Sequence, residues 1–341
     1  MTALATIERI RELRPIPGAD RILHAQVLNY WTVVKKEEFN VGDLCVWINP
    51  DTTVPRKEWN KFLWPKNDQD PNGERIRIRT CKFKGQPSMG LCLPTLHFFP
   101  PIDLELEEGH DITEIIGVEK YEKPIPAALA GQIRGHFPSF LKKTDELNLR
   151  SQRDGVSDFM GKECYITLKY DGSSATFYHR NGEFGVCSRN LDLKPEDNNA
   201  FWKIALENDL ENKLKNHGKN LAVQGELHGP GVNGNKVGID KLKLKLFNLF
   251  DIDEQKYCNY EELKNFCLQF NLEMVDVIWS GQFNFTVDDL VKLSNNTKYP
   301  ETGNICEGIV IRPIIETYSN QLKGRLSGKI ISEEFAAKYG E

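Results

Sequence analysis

The sequence has no uninterrupted apolar stretch of the roughly 18 residues that a membrane-spanning helix needs, so no such helix is expected. Its eight cysteines include no Cys-x-x-Cys pair. Most sit inside apolar runs, such as Cys45 in Leu44-Cys45-Val46-Trp47. That excludes the usual spacing of a zinc site and reads as reduced, buried thiols of an intracellular protein rather than a disulfide frame. No internal repeat or low-complexity tract is present. Basic residues are not in excess: 44 Lys and Arg stand against 49 Asp and Glu, a net charge of −5. This argues against a nonspecific coat for polyanions, although nucleic acid needs only a local basic stripe. The first residues, Met1-Thr2-Ala3-Leu4-Ala5-Thr6-Ile7-Glu8-Arg9, turn acidic too soon for a secretory signal.

What is present is ordinary globular material, 40% hydrophobic and 27% charged over 341 residues, enough for two domains. Residues 1–100 carry frequent turn signals, including Pro15-Ile16-Pro17-Gly18, Asn40-Val41-Gly42-Asp43 and Asn72-Gly73. Between them lie short β-prone runs at residues 24–28, 31–35 and 43–48. Such spacing predicts a small β-barrel. Within it, Glu74-Arg75-Ile76-Arg77-Ile78-Arg79 alternates strictly. As a strand it puts Arg75, Arg77 and Arg79 on one face, with Lys82 and Lys84 following. That face suits a nucleic-acid backbone, and equally a solvated surface.

Residues 101–136, with Pro100-Pro101 before them and Pro124-Ile125-Pro126 inside, read as a connector. From residue 137 to 341 strand and helix patterns alternate. Strands are expected at 163–169, 174–180, 183–188, 221–227, 244–252 and 306–312. Helices are expected at 199–215, 260–270, 286–294 and 332–339. The fold class is therefore α+β, with mainly antiparallel sheets.

Lys169-Tyr170-Asp171-Gly172 closes the apolar run Cys164-Tyr165-Ile166-Thr167-Leu168. A free lysine, with a pKa near ~10.4, is almost wholly protonated at neutral pH. Making it nucleophilic costs roughly 4–5 kcal/mol unless burial or neighbouring cations depress that pKa. Alone the motif is weak. Further segments accompany it: Lys143-Thr144-Asp145-Glu146, Arg150-Ser151-Gln152, Ser188-Arg189-Asn190, Gly225-Glu226, Leu246 to Ile252, Glu307-Gly308-Ile309-Val310-Ile311-Arg312-Pro313, and Gly328-Lys329-Ile330-Ile331. Singly, Phe247 reads as core, Glu226 and Glu307 as exposed strand-end acids, and Lys329 as an edge charge.

In this order they resemble motifs I, Ia, III, IIIa, IV and V of the covalent nucleotidyltransferases, the superfamily of polynucleotide ligases and messenger-RNA capping enzymes. The N-terminal segments Pro15-Ile16-Pro17-Gly18-Ala19-Asp20, Val41-Gly42-Asp43 and Ser88-Met89-Gly90-Leu91 resemble the OB domain of ATP-dependent RNA ligases of the Deinococcus and Naegleria type. The resemblance implies an N-terminal OB-fold over 1–100 and an ATP-grasp-like ligase domain over 137–341. It implies ATP and Mg²⁺ or Mn²⁺ as cofactors, and RNA with 5′-phosphate and 3′-hydroxyl ends, nicked or duplex, as partner. A monomer with no membrane partner is expected. Lys169 would carry AMP, and Asp171, Glu226 and Glu307 would hold the metal. Lys329 would sit on the α-phosphate. Lys143, Arg150 and Gln152 would engage the nucleotide's phosphates, Phe247 the adenine, and Arg189 the RNA 5′-phosphate. The basic residues from Arg75 to Lys84 would grip the RNA.

The chain departs from the family pattern at two positions. Leu168 stands where many members have a glutamate that reads the adenine amine, and Ile331 stands where many have a second lysine of motif V. Lys323 or Arg325 is the expected substitute for that charge. DNA ligases and capping enzymes carry their OB domain after the catalytic module, whereas here the barrel-like segment precedes it. A silent RNA-binding adaptor has no use for Lys169, Glu226, Glu307 and Lys329 together.

Overall fold

The computed structural model describes residues 3–64, 74–99, 106–122, 131–152, 154, 156–196 and 199–340. The expected Asn72-Gly73 turn and the Pro100-Pro101 and Pro124–Pro126 segments lie outside them. The chain forms two compact units. The first comprises Met1–Lys123, Arg150–Arg153 and Glu333–Glu341, and the second Pro124–Leu149 and Asp154–Ser332.

The first unit is antiparallel β-structure. Its strands are β1 (Ala5–Pro15), β2 (Ile22–Val27), β3 (Tyr30–Lys35), β4 (Leu44–Ile48), β5 (Thr52–Pro55), β6 (Arg75–Ile78), β7 (Cys81–Phe83), β8 (Gln86–Ser88) and β9 (Leu91–Pro94). A five-stranded sheet runs β3-β2-β1-β4-β9. The short helix α1 (Thr113–Ile116) leads into β10 (Glu119–Lys120), which joins a second sheet, β10-β5-β6. Alternate residues of β1 and β4 turn inward, so Ala5, Ile7, Val46 and Ile48 pack with Val54, Ile78 and Leu93. Ile112, Ile116 and Val118 belong to the same core. The stretch expected as a connector is thus partly a structural element of the first unit, because its apolar residues close that core.

The second unit is built on two antiparallel sheets. Its strands are β11 (Ile133–His136), β12 (Leu147–Asn148), β13 (Glu163–Lys169), β14 (Ser173–Arg180), β15 (Glu183–Cys187) and β16 (Leu191–Leu193). Helices α2 (Ala200–Glu207) and α3 (Leu210–His217) follow, then β17 (Leu221–His228), β18 (Lys243–Asp251), β19 (Lys256–Tyr257), α4 (Tyr260–Phe270), β20 (Val277–Gln282) and α5 (Val287–Asn295). The unit ends with β21 (Gly308–Pro313), β22 (Tyr318–Ser319), β23 (Gly324–Arg325) and β24 (Gly328–Ile331). One sheet runs β11-β16-β15-β14-β17-β18-β19 and the other β12-β24-β21-β13-β20. Only the β12–β24 pair in them is parallel. The final helix, α6 (Glu333–Tyr339), is grouped with the first unit, so residues 333–340 leave the expected catalytic segment.

The helix expected over 199–215 is two helices. Asn199 caps α2 through its side-chain oxygen, and Asn208 and Asp209 break the run. Asp209 adopts φ +49°, a left-handed conformation that aspartate tolerates better than most residues.

In the first unit His24 is buried against Trp31 and its Nε2 lies 2.8 Å from the Pro87 carbonyl. Burial lowers its pKa below the usual imidazole value. In the pH interval below about 6.5 the unfolded chain therefore binds more protons at this position than the folded one. Stability is fully present above that pH and is lost as pH falls toward the folded-state pKa. Denaturation midpoints measured from pH 7.5 to 5.5 should fall less steeply in His24→Asn than in the parent.

Candidate active site

The second unit's two sheets each bring residues to one place. β13 is buried along nearly its whole length, with Cys164 and Ile166 turned into a core shared with Ile309, Ile311 and Ile330. Alternation then sets Thr167 and Lys169 on the other face. The register pairs Lys169 with Gly308 and Thr167 with Val310, and in turn Gly308 with Ile331 and Val310 with Lys329. Lys169 and Lys329 therefore share a sheet face in adjacent rows. Ile331 occupies the row of Lys169, so the second motif V position is filled by an apolar side chain on this face. Neither expected substitute is free to take its place simply. Lys323 is exposed in a turn, and Arg325 is committed to Glu316, to Asn248 Oδ1 at 2.8 Å, and to the ring of Tyr257.

Glycines let the strand ends close up. A Cβ on Gly308 would lie 2.2 Å from the Ile330 carbonyl oxygen, and one on Gly172 would lie 2.2 Å from that of Leu227. Both approaches are possible only without a side chain.

Lys169 Nζ lies 2.5 Å from Glu307 Oε2 in a largely buried ion pair. Glu226, on β17, is half-buried nearby. Burial pushes its carboxyl up to about 8; Lys169 opposes the shift, while Glu307 and Asp171 add to it. Arg189 also acts on Glu226 through its charge. Lys169, Asp171, Arg189, Glu226 and Glu307 are thus one electrostatic group. Asp171 is buried, and its Oδ1 accepts from Asn233 at 2.8 Å and from Lys236 at 3.1 Å.

The buried phenol of Tyr299 fixes the backbone beneath them. Its oxygen accepts from the N–H groups of Asp171 at 3.0 Å and Glu307 at 3.1 Å, and its O–H donates to the Lys169 carbonyl at 3.3 Å. The full donor and acceptor capacity of one hydroxyl is used. The Lys169 carbonyl also receives the Cys306 thiol, at 3.1 Å.

Phe247 occupies a β-bulge. Gly225 pairs with Leu246 and Gln224 with Asn248, which leaves Phe247 as the extra residue. The bulge turns its ring toward a cluster containing Leu168, Tyr170 and Tyr299. Its carbonyl is taken up by Arg312 Nη1 at 2.9 Å, with the guanidinium 5.6 Å from the ring. Arg312 is itself buried and held by Glu146 at 2.5 Å and by Ser327 Oγ at 3.0 Å. Burial alone would raise the Glu146 carboxyl, but Arg312 and Arg325 outweigh it and hold it below the usual range.

Other expected residues lie elsewhere. Arg150 belongs to the first unit, where it is buried. Its guanidinium donates to the Asn29 carbonyl at 2.7 Å, pairs with Glu333 at 2.8 Å and packs on Tyr30. These contacts tie residues 150–152 and α6 into that unit. Gln152 lies in the same short segment. Two of the three arginines of the expected basic face have partners within the protein. Arg75 pairs with Glu119 and donates to the Gly117 carbonyl, and Arg77 pairs with Asp51 at 2.6 Å and stacks on Tyr121. What stays exposed is Arg79 with the β7–β8 hairpin, which carries Lys82, Lys84 and a 45% exposed Phe83. Lys143 donates to Asn190 at 2.8 Å, and Arg189 pairs with Asp145 at 2.6 Å, both at the surface.

Among the described residues, no three Asp, Glu, His or Cys side chains are clustered so as to hold a metal ion. Asp171, Glu226 and Glu307 are therefore not a ready-made chelate: Glu307 and Asp171 are engaged by lysines. Their chemistry nonetheless suits a hard cation, since all are oxygen donors. The sequence reading missed Tyr299, Asn233 and Lys236. The Asn- and Gly-rich run 229–235 signals a loop, but nothing in it signals an ion pair with Asp171.

Tyr299→Phe would strand two buried N–H donors. A stability loss of roughly 2–4 kcal/mol is expected in urea denaturation, against a negligible loss for a phenylalanine substitution at the exposed Tyr318.

Comparison with known proteins agrees with this arrangement. A model of the RNA ligase family matches residues 162–331, and an OB-fold domain model matches residues 4–95. No curated protein sequence matches the chain. Among solved structures, a Naegleria gruberi RNA ligase with PPi is 31% identical, covers 99% of each chain and superposes with a TM-score of 0.84. A mutant of that ligase with AMP and Mn is 31% identical over 98% of each chain, TM-score 0.84. Another, with ATP and Mn, is 31% identical over 99% of each chain, also at 0.84. With a preceding OB-fold domain, a ligase domain matched from β13 to the end of β24, and full-length similarity to a solved RNA ligase, the chain belongs to the RNA ligase family.

Proposed function

We propose that this RNA ligase uses ATP and a divalent cation to join a 3′-hydroxyl to a 5′-phosphate RNA end, through a lysyl-AMP and an RNA-adenylate. The observation that carries the reading is the convergence of Lys169 with Glu307, Glu226 and Asp171 at the ends of two sheets. The Naegleria gruberi RNA ligase mutants that resemble this chain hold AMP or ATP with Mn, which supports the nucleotide and the divalent cation.

In this reading Lys169 Nζ bonds to the α-phosphorus as the bond to pyrophosphate breaks. Glu307 Oε2, 2.5 Å away, is the acceptor at hand for the ammonium proton. Lys329, on the same sheet face, offsets charge on the α-phosphate. Phe247 offers its ring to the adenine, and Arg312 fixes the bulge that aims it. Glu226 accepts from the ribose hydroxyls or joins Asp171 and Glu307 as an oxygen donor to Mg²⁺ or Mn²⁺. Such a cation would supply positive charge to the phosphates and disfavour protonation of the amine. Lys143 is the phosphate-facing cation of the second unit, and Leu168 leaves adenine recognition to other groups.

Arg189 would hold the RNA 5′-phosphate. Its exposed pair with Asp145 is worth about 0–1 kcal/mol, so a phosphate can displace it at little cost. The phosphate oxygen then attacks lysyl-AMP, the N–P bond breaks, and AMP passes to the RNA. A 3′-hydroxyl finally attacks the 5′-phosphate and releases AMP. The exposed Arg79, Lys82 and Lys84 around Phe83 suit a second RNA strand.

Incubation with α-labelled ATP and Mg²⁺ or Mn²⁺ should leave label on the protein through an acid-labile, alkali-stable bond. Lys169→Ala should abolish it. Equal labelling of the variant would refute the covalent step. Nicked duplexes ending in a ribose 3′-hydroxyl should be sealed faster than deoxy-ended ones, and the opposite preference would refute the RNA assignment.

A further inference from the structure

A cavity in the ligase unit shares Lys143 with the chemistry above. It encloses about 950 Å³ between the segment 142–147, the strand β18 at Asn248 and Phe250, the β19 turn and residues 315–327. Neither Lys169, Glu226, Glu307 nor Phe247 lines it.

Its charge is less balanced than its composition suggests. Three acids on its wall are spent internally: Glu146 on Arg312, Glu316 on Arg325, and Glu262 on the Asn259 N–H at 2.8 Å, while Asp145 pairs with Arg189 until a phosphate takes its place. Lys142 and Lys143 line it and are exposed. Two side chains that water does not favour line it as well, Tyr318 at 67% exposure and Ile315 at 64%. Tyr257, backed by the Arg325 guanidinium 4.1 Å over its ring, adds a rigid π face. Exposed cations and exposed aromatic and apolar side chains in one cavity are what a single-stranded nucleic acid requires, the first for phosphates and the second for bases. The cavity also adjoins the reaction centre, because Asp145 on its wall holds Arg189, whose charge reaches Glu226.

We propose that this cavity receives the first nucleotides of the 5′-phosphate RNA strand, with a base on Tyr318 and the backbone along Lys142 and Lys143. The proposal rests on the RNA-ligase reading and on Arg189 holding the terminal phosphate. It specifies the strand and the surface that reads it.

The test uses the full chain with Tyr318→Ala and Lys142→Ala, both at exposed positions. Protein labelling by α-labelled ATP should match the parent in each, which reports an intact fold and first step. The Kd of a fluorescent single-stranded 5′-phosphorylated RNA should rise roughly tenfold for Tyr318→Ala, the usual consequence of losing one stacked base. An RNA abasic at its first two positions should bind parent and variant equally. Lys142→Ala should weaken both RNAs alike and flatten the salt dependence. A Tyr318→Ala Kd within twofold of the parent overturns the proposal, as does an equal loss with the abasic RNA or weakening confined to a strand lacking the 5′-phosphate. Absence of labelling in the parent, with RNA binding intact, would strike the ligase reading instead.

Discussion

A single phenolic oxygen holds the reaction centre together. Tyr299 meets the end of β13, the residue before β21 and the backbone of Asp171 in one place, taking two N–H groups and giving one O–H. These segments come from strand ends, where ladder hydrogen bonding stops and amides would otherwise be orphaned in a buried setting. Water cannot serve them there, so the hydroxyl does. Because it is buried, its pKa lies well above that of free tyrosine, and it stays protonated and able to donate. The lysine and the two acids that follow it inherit their positions from this contact.

The second constraint links the two sheets of the ligase unit. A bulge in β18 frees one carbonyl, and a buried arginine from β21 occupies it. Burying an ion pair such as Arg312–Glu146 gives little net stability, since desolvation offsets attraction. Its value here is geometric. It sets where Phe247 sits relative to the strand that carries Lys169, and removing either charge would leave the other stranded in the interior. The result is an apolar wall bearing Leu168 and Phe247 beside the charged group of Lys169, Glu226 and Glu307.

Charge in the first unit is arranged on the opposite principle. Arg75, Arg77 and Arg150 point into their own domain and are neutralised by Glu119, Asp51 and Glu333. Lys82 and Lys84 stay exposed to solvent on a short hairpin with a positive-φ turn at Lys84 and Gly85. A hairpin whose two strands pair with each other can present lysines and an exposed phenylalanine without disturbing the core.

Period and order in the chain determined much of this protein. The buried run ending at Lys169, the strands expected at 221–227 and 244–252, and the helices expected at 260–270 and 286–294 follow from side-chain patterns that a backbone must satisfy locally. The order of the motif segments likewise carried the family, and with it the choice of Lys169, Glu226, Glu307 and Lys329. What the repeats could not contain was pairing between distant segments. Arginine reads alike in sequence whether it meets RNA or a neighbouring aspartate, so Arg77 and Arg150 were indistinguishable from binding residues until tertiary contacts assigned them partners. The Tyr299–Asp171, Lys236–Asp171, Arg312–Phe247 and Arg312–Glu146 contacts join residues 65 to 166 positions apart, and only the closed fold brings such groups within the few ångströms at which a hydrogen bond exists.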